Sequence, residues 1–395
     1  VAAWWWHSPP PTPPTPEPPE PVVLERLRHD GMIRRTASGH AWRYRGLTAF
    51  RAAERHARGE DLTPFFAWAR ARGVNTLRIF CQWSFFAPDW RVLSLGQLRA
   101  FGEFAGAHGF YIAYTVLTDC QRIGPPDLGG QTDRIAGVIE AVADLDNTAH
   151  VEFANEPFKN TNGVAMWDVA KLLGYDDPLA RPCLLALGDY WSEDLPVGPS
   201  GYTLLHALDS MLYHQPRKPD WPNESAKDGR FYYEGWEKTG TGPGYHGCGP
   251  DAHVISDEPQ GCGDPARRDN DPAHYEDAAG GYAIGCAGGT FHCDSGIDAS
   301  VPDDVETACA TAFFGAMDFF DGEAPTGTYT HDGLADYPLL STAGVTAGEG
   351  VARLRGGHAD VVVAYPSSAW VPTPVGGWHI LERAGRAGQL LKLAR

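Results

Sequence analysis

Two short stretches of this sequence place a carboxylate where chemistry can be done. Val151-Glu152-Phe153-Ala154 runs into Asn155-Glu156-Pro157, and His253-Val254-Ile255-Ser256 runs into Asp257-Glu258-Pro259. In each, an apolar or alternating run of strand character ends on an acid and is then stopped by proline. A proline also restricts the residue before it, which predicts an extended backbone at Glu156 and a fixed direction for its carboxyl group. The two glutamates are 258 − 156 = 102 residues apart. A carboxyl pair can break an acetal linkage when one member protonates the leaving oxygen while the other, ionised, attacks or stabilises the electron-poor carbon. That division of labour needs one carboxyl to keep its proton while its partner stays charged.

Such a pair works only if the fold brings the acids together. From about residue 40 the sequence alternates short apolar runs with helical stretches, the pattern of a βα fold. Eight strands are expected: Trp42 to Phe50, Val74 to Cys81, Phe110 to Leu117, His150 to Ala154, Cys183 to Leu187, Tyr202 to His206, His253 to Ser256 and Thr290 to Cys293. Between them, Leu98, Phe101, Phe104 and Ala105 share a helical face, as do Ile135, Val138, Ile139 and Val142, and later Val305, Ala308, Ala312 and Phe319, the last helix starting at Asp303 and Asp304. Residues 188–290 are poor in helical pattern, so the later crossovers are expected to be irregular. Eight strands with crossovers predict a (β/α)8 TIM barrel, an α/β fold. A doubly wound sheet is the alternative, but no glycine-rich phosphate loop follows the first strand. In a barrel, active groups sit at the C-terminal strand ends, so Glu156 closes strand four and Glu258 strand seven, facing each other across the mouth. From such positions the carboxyls can approach the roughly 5–5.5 Å separation that permits a covalent intermediate and retention of configuration.

Asn155-Glu156-Pro157 after strand four, a glutamate closing strand seven and Arg78 on strand two together resemble clan A of the glycoside hydrolases, the cellulase-like (family-five-like) barrel enzymes. The resemblance spans roughly residues 40 to 320. It implies that Glu156 is the acid/base and Glu258 the nucleophile of a retaining glycosidase acting on a β-linked glycan. It also implies that Asn155 hydrogen-bonds a sugar hydroxyl and that Arg78 supports the nucleophile. At strand six the clan places a Tyr or His near the nucleophile, and here His206 is the candidate. At strand eight it commonly places a Trp, whereas this sequence has Phe291-His292-Cys293-Asp294, making His292 the candidate. Asp257 competes with Glu258, since a one-residue shift of strand phase exchanges the inward side chain.

Trp167, Trp191, Trp221 and Trp236 fall in the expected mouth loops, where indole faces can stack on sugars or pack their own loops; Trp236 is taken as a substrate-binding residue. Two other functions stay open at this point: a barrel that binds carbohydrate without turnover, and a metal-dependent hydrolase built on His206, His292 and Asp294. No cofactor is called for.

Composition bounds the rest. With 32 Lys and Arg against 50 Asp and Glu, the net charge is 32 − 50 = −18. A surface this acidic repels phosphate, which argues against nucleic acid and anionic membranes as partners and leaves an oligosaccharide or polysaccharide. A monomer is expected. No run of about 18 apolar residues is present to form a transmembrane helix. Four of the eight cysteines, Cys248, Cys262, Cys286 and Cys293, lie in a glycine-rich region where a disulfide could staple long loops, which favours a secreted or extracellular setting. Residues 9 to 21 hold nine prolines among thirteen positions, so residues 1–22 are expected to be a disordered, extended segment. The catalytic barrel is expected over 23–330, and over 331–395 a small appendage of short strands resembling an incomplete sandwich.

Overall fold

The computed structural model describes residues 23–30, 33–83, 91–191, 208, 211–214, 254–258, 261–265, 268, 270–272, 275, 279, 288–319, 329–330, 351–355, 359–364, 378–381 and 389–394. The Pro-rich segment lies outside them.

Eight strands close into one barrel. In chain order they are strand one (Tyr44–Thr48), two (Thr76–Phe80), three (Tyr111–Leu117), four (Thr148–Ala154), five (Leu185–Trp191), six (Met211–His214), seven (Val254–Glu258) and eight (Gly288–Phe291). Every neighbouring pair is parallel, and strand eight pairs with strand one to complete the circle. The fold is the expected (β/α)8 barrel. Seven strands match their predicted runs to within a few residues. Strand six does not: it is Met211–His214, and the Tyr202 to His206 run expected there lies outside the described residues.

The period-two alternation of the strands sorts their side chains. Leu47, Leu77, Ile79, Ile112, Tyr114, Val116, Val151, Phe153, Leu185 and Phe291 join the core beneath the helices. Tyr44, Ala113, Ala186 and Ile255, contributed by strands one, three, five and seven, form a separate cluster inside the barrel. Alternate strands supplying one layer of four is how a tilted eight-stranded barrel fills its interior.

Helices Leu95–Ala107 and Leu128–Val142 cover strands two to four, burying Leu98, Phe101 and Ala105, and Ile135, Val138, Ile139 and Val142. The expected faces of both are those observed, with Phe104 partly buried. The last helix, Asp304–Phe319, starts where expected, and Asp303 Oδ1 caps it by accepting from the Glu306 N–H (2.9 Å). Its buried face is rotated from the expected one, however. Cys309, Phe313, Phe314 and Met317 are buried while Val305 is 46% exposed. The larger rings and thioether bury more apolar area than the valine and alanines, so they decide which side faces the barrel.

A three-stranded antiparallel sheet, Leu27–Asp30, Ile33–Thr36 and Ala41–Trp42, lies against the N-terminal strand ends. Leu27 packs with Tyr111, Ala149 and Leu184. Arg34, fully buried, donates to the Ala149 carbonyl (3.0 Å) and to His150 Nδ1 (3.3 Å). Towards the other terminus, Tyr329–Thr330, Val351–Arg355, Ala359–Ala364, Trp378–Leu381 and Gln389–Ala394 make a five-stranded antiparallel sheet. No helix among the described residues is long and apolar enough to cross a membrane.

Candidate active site

Because all eight strands run the same way, their C-terminal ends share one face, and both glutamates singled out in the sequence stand on it. Glu258 is the last residue of strand seven, in register with His214, the last of strand six. Asn155 and Glu156 immediately follow strand four. Strands five and six separate the two acids around the rim.

Glu156 is not extended. Its backbone lies at φ 42°, ψ 65°, in the left-handed region, where it serves as the N-terminal boundary of the short helix Pro157–Asn160. Pro157 disfavours the right-handed helical region for the residue before it. The chain must nonetheless turn sharply from strand into helix, and the left-handed region is what remains. A non-glycine residue there costs about 1–3 kcal/mol, a strain that concentrates at functional sites. The turn is held by hydrogen bonds: the Asn155 N–H donates to Leu117 O (2.8 Å) and the Lys159 N–H to Glu156 O (2.8 Å). Asn160 Nδ2 donates to Asn155 O (2.8 Å). The Glu156 side chain is 14% exposed, and Lys159 Nζ donates to its Oε1 at 2.8 Å.

Beneath the rim, inward positions on strands two, three and four form a buried polar network. Arg78 and Glu152 are both fully buried. Arg78 Nη2 donates to Glu152 Oε2 (3.0 Å) and Oε1 (3.1 Å), and Nε donates to Oε2 (3.2 Å). The Thr115 hydroxyl also donates to Glu152 Oε2. Arg78 Nη2 reaches on to Asn155 Oδ1 (2.9 Å). With its oxygen occupied, the Asn155 amide offers its N–H2 to other partners. The guanidinium lies over Phe50 and Phe80, 5.3 and 5.5 Å from the ring centroids, and those rings stack on each other 3.7 Å apart.

His292 directly follows strand eight and is buried. Its Nδ1 lies 2.8 Å from Thr48 Oγ1, and its ring centroid is 5.9 Å from that of Phe50. It therefore stands on the strand-one side of the mouth, against Thr48 and Phe50. His206 and Trp236 lie outside the described residues. Trp167 lies not in a mouth loop but on the helix Met166–Leu172; partly buried, it packs against the core, with Lys171 Nζ 5.5 Å from its ring centroid.

Glu152 reads from the sequence as a structural acid rather than a substrate-facing one, and the structure makes it the buried partner of Arg78 beneath the site. The signal was present: two residues after His150 on a strand whose odd positions, Val151 and Phe153, are apolar, it had to face the barrel interior.

Cys81, Cys120, Cys262, Cys293 and Cys309 are free thiols; Cys248 and Cys286 lie outside the described residues. Burial pushes the Cys81 thiol up to about 12, so it stays protonated. Among the described residues, no group of three or more His, Cys, Asp or Glu is placed to hold a metal ion.

No family model and no curated protein matches the sequence. Solved structures do match. A β-glucanase from Saccharophagus degradans in complex with cellotetraose is 16% identical, with a TM-score of 0.50 over 78% of this chain and 98% of that one. GH5_18 from Streptomyces cattleya, in complex with GlcNAc, is 15% identical, with a TM-score of 0.50 over 73% of this chain and 82% of that one. The protein has the barrel fold of these clan A glycoside hydrolases. At such identities the likeness concerns the fold; the chemistry has to be argued from this chain's own residues.

Proposed function

We propose that this protein is a retaining glycoside hydrolase that cleaves a β-linked oligosaccharide or polysaccharide, with Glu156 as acid/base and Glu258 as nucleophile. The observation that carries the reading is the placement of these two glutamates at the ends of strands four and seven of one closed parallel barrel. The left-handed backbone of Glu156 supports it, because strain is retained where a side chain must be aimed.

In this reading Glu156 protonates the glycosidic oxygen while the Glu258 carboxylate attacks the anomeric carbon. The C–O bond breaks, the aglycone leaves with the proton, and a glycosyl ester forms. Glu156, now ionised, takes a proton from water, which displaces Glu258 and restores both groups. Asn155, anchored by Arg78, turns its N–H2 to a sugar hydroxyl. His206, His292 and Trp236 are the other substrate contacts in this reading. The barrel carries the site, and the N- and C-terminal sheets are accessory to it.

The test is hydrolysis of a panel of β-glucan, β-mannan and β-xylan, with the anomeric configuration of the first-formed product followed by NMR. Glu156→Gln is expected to lower kcat by about 10²–10⁴-fold, the range for losing a general acid–base. Glu258→Gln is expected to abolish turnover. Wild-type rates in both variants would end the assignment, and binding without hydrolysis by the unsubstituted protein would make it a carbohydrate-binding barrel instead.

A further inference from the structure

Glu156 is held in place by Pro157, and Pro157 is seated on strand five. Gly188 of that strand pairs with Ala154, two residues before Glu156. It adopts φ 149°, open to glycine and rarely to other residues, and it is buried. A Cβ at this position would lie 2.3 Å from the Ala154 carbonyl oxygen, 2.5 Å from Pro157 Cγ and 3.0 Å from Pro157 Cδ. The pyrrolidine ring thus occupies the volume that any other side chain would fill.

This contact bears directly on the glutamate. The ring disfavours the right-handed region at Glu156, and the space at Gly188 lets the ring lie where the left-handed turn puts it. The turn's other ties, the bonds to Leu117, Lys159 and Asn160, secure the backbone on either side but leave the ring seat to strand five.

We propose that Gly188 is a positioning residue for Glu156: by leaving room for the Pro157 ring it keeps the Glu156 backbone left-handed and so sets the direction of the carboxyl group. The inference rests on the reading of Glu156 as acid/base. A side chain at 188 displaces the ring, the φ/ψ of Glu156 relax, and the Cα–Cβ bond swings. Displacements of about 1 Å at a reacting group cost about 10²-fold in rate.

Leaving-group dependence tests it. A dinitrophenolate leaves without a proton, whereas an alkoxide needs the acid. Gly188→Ala and Pro157→Ala, each in the full chain, are assayed on methyl and 2,4-dinitrophenyl β-glycosides of the sugar the unsubstituted protein cleaves, with circular dichroism as the folding check. The expected result is a kcat/KM about 10²-fold lower on the methyl glycoside and nearly unchanged on the dinitrophenyl glycoside. An equal loss on both, or none on either, in the folded variants overturns the proposal, since damage unrelated to the proton donor does not sort substrates by leaving group. Pro157→Ala leaves strand five untouched, so it decides the matter if Gly188→Ala does not fold. Glu156→Gln separates the two readings. If it spares both substrates, the acid/base assignment falls; if it alone shows the leaving-group signature, the assignment stands and the role of Gly188 does not.

Discussion

At the scale of single residues, the ion pair of Arg78 and Glu152 dominates the ground beneath the site. Both groups are shut away from water, so each would be costly alone and is tolerable only because the other, with Thr115 and Asn155, satisfies its hydrogen bonds. Removing one partner should therefore hurt more than removing both. Arg78→Met is expected to destabilise the fold by about 3–5 kcal/mol in urea unfolding. The double variant Arg78→Met with Glu152→Leu is expected to cost less than the two single losses summed. Additive losses would mean that the charges do not interact. Arg78→Met also releases Asn155 Oδ1, so activity on glycan should fall further than the loss of folded protein explains.

Elements set the frame for those residues. Helix Leu95–Ala107 packs behind strands two and three, and its first turn is closed reciprocally: Gln97 N–H donates to Ser94 Oγ (3.2 Å) and Ser94 N–H to Gln97 Oε1 (2.9 Å). Ser94→Ala removes one acceptor and should lower the free energy of urea unfolding by about 1 kcal/mol. The N-terminal sheet contributes differently. Its Arg34 enters the barrel from below and holds His150, which stands two residues before Glu152 on strand four. Arg34→Met should lower the melting temperature through the loss of that contact and of the bond to Ala149. A melting temperature equal to the unsubstituted protein's would show that the sheet is merely laid against the barrel.

The whole molecule is a barrel whose interior is polar on the strand-two, -three and -four side, and this makes its stability depend on pH. His150 is fully buried, and burial, then Arg34, then Arg78 hold it well below the ordinary 6.5. Arginine can only donate, so Nδ1 of His150 accepts and the ring is neutral with its proton on Nε2. In the unfolded chain the same imidazole takes up a proton once the pH drops below its ordinary value. The unfolded state then binds more protons than the folded one, and stability falls with falling pH. The contribution is fully present above 6.5 and is lost progressively below it. His150→Gln should flatten the decline in melting temperature between about pH 7 and 5 relative to the unsubstituted protein; an unchanged slope would assign the dependence to other groups.

The sequence by itself determined the parallel barrel, seven of its strands, and the two glutamates at strand ends. Those features follow from local rules: alternation every second residue, helical faces every third or fourth, and prolines that stop strands. Tertiary structure decided the rest. Arg78 and Glu152 are 74 residues apart, and only closure of the barrel joins them. The face of the last helix was settled by which side chains fill the space against the strands, so Val305 was left outside. Pro157 narrowed the backbone of Glu156 without choosing its region, and the choice fell to the sharp turn into Pro157–Asn160, with the ring seated on a glycine of the neighbouring strand. A pattern along the chain records which way a side chain faces; what it meets there depends on elements that arrive from elsewhere in the sequence.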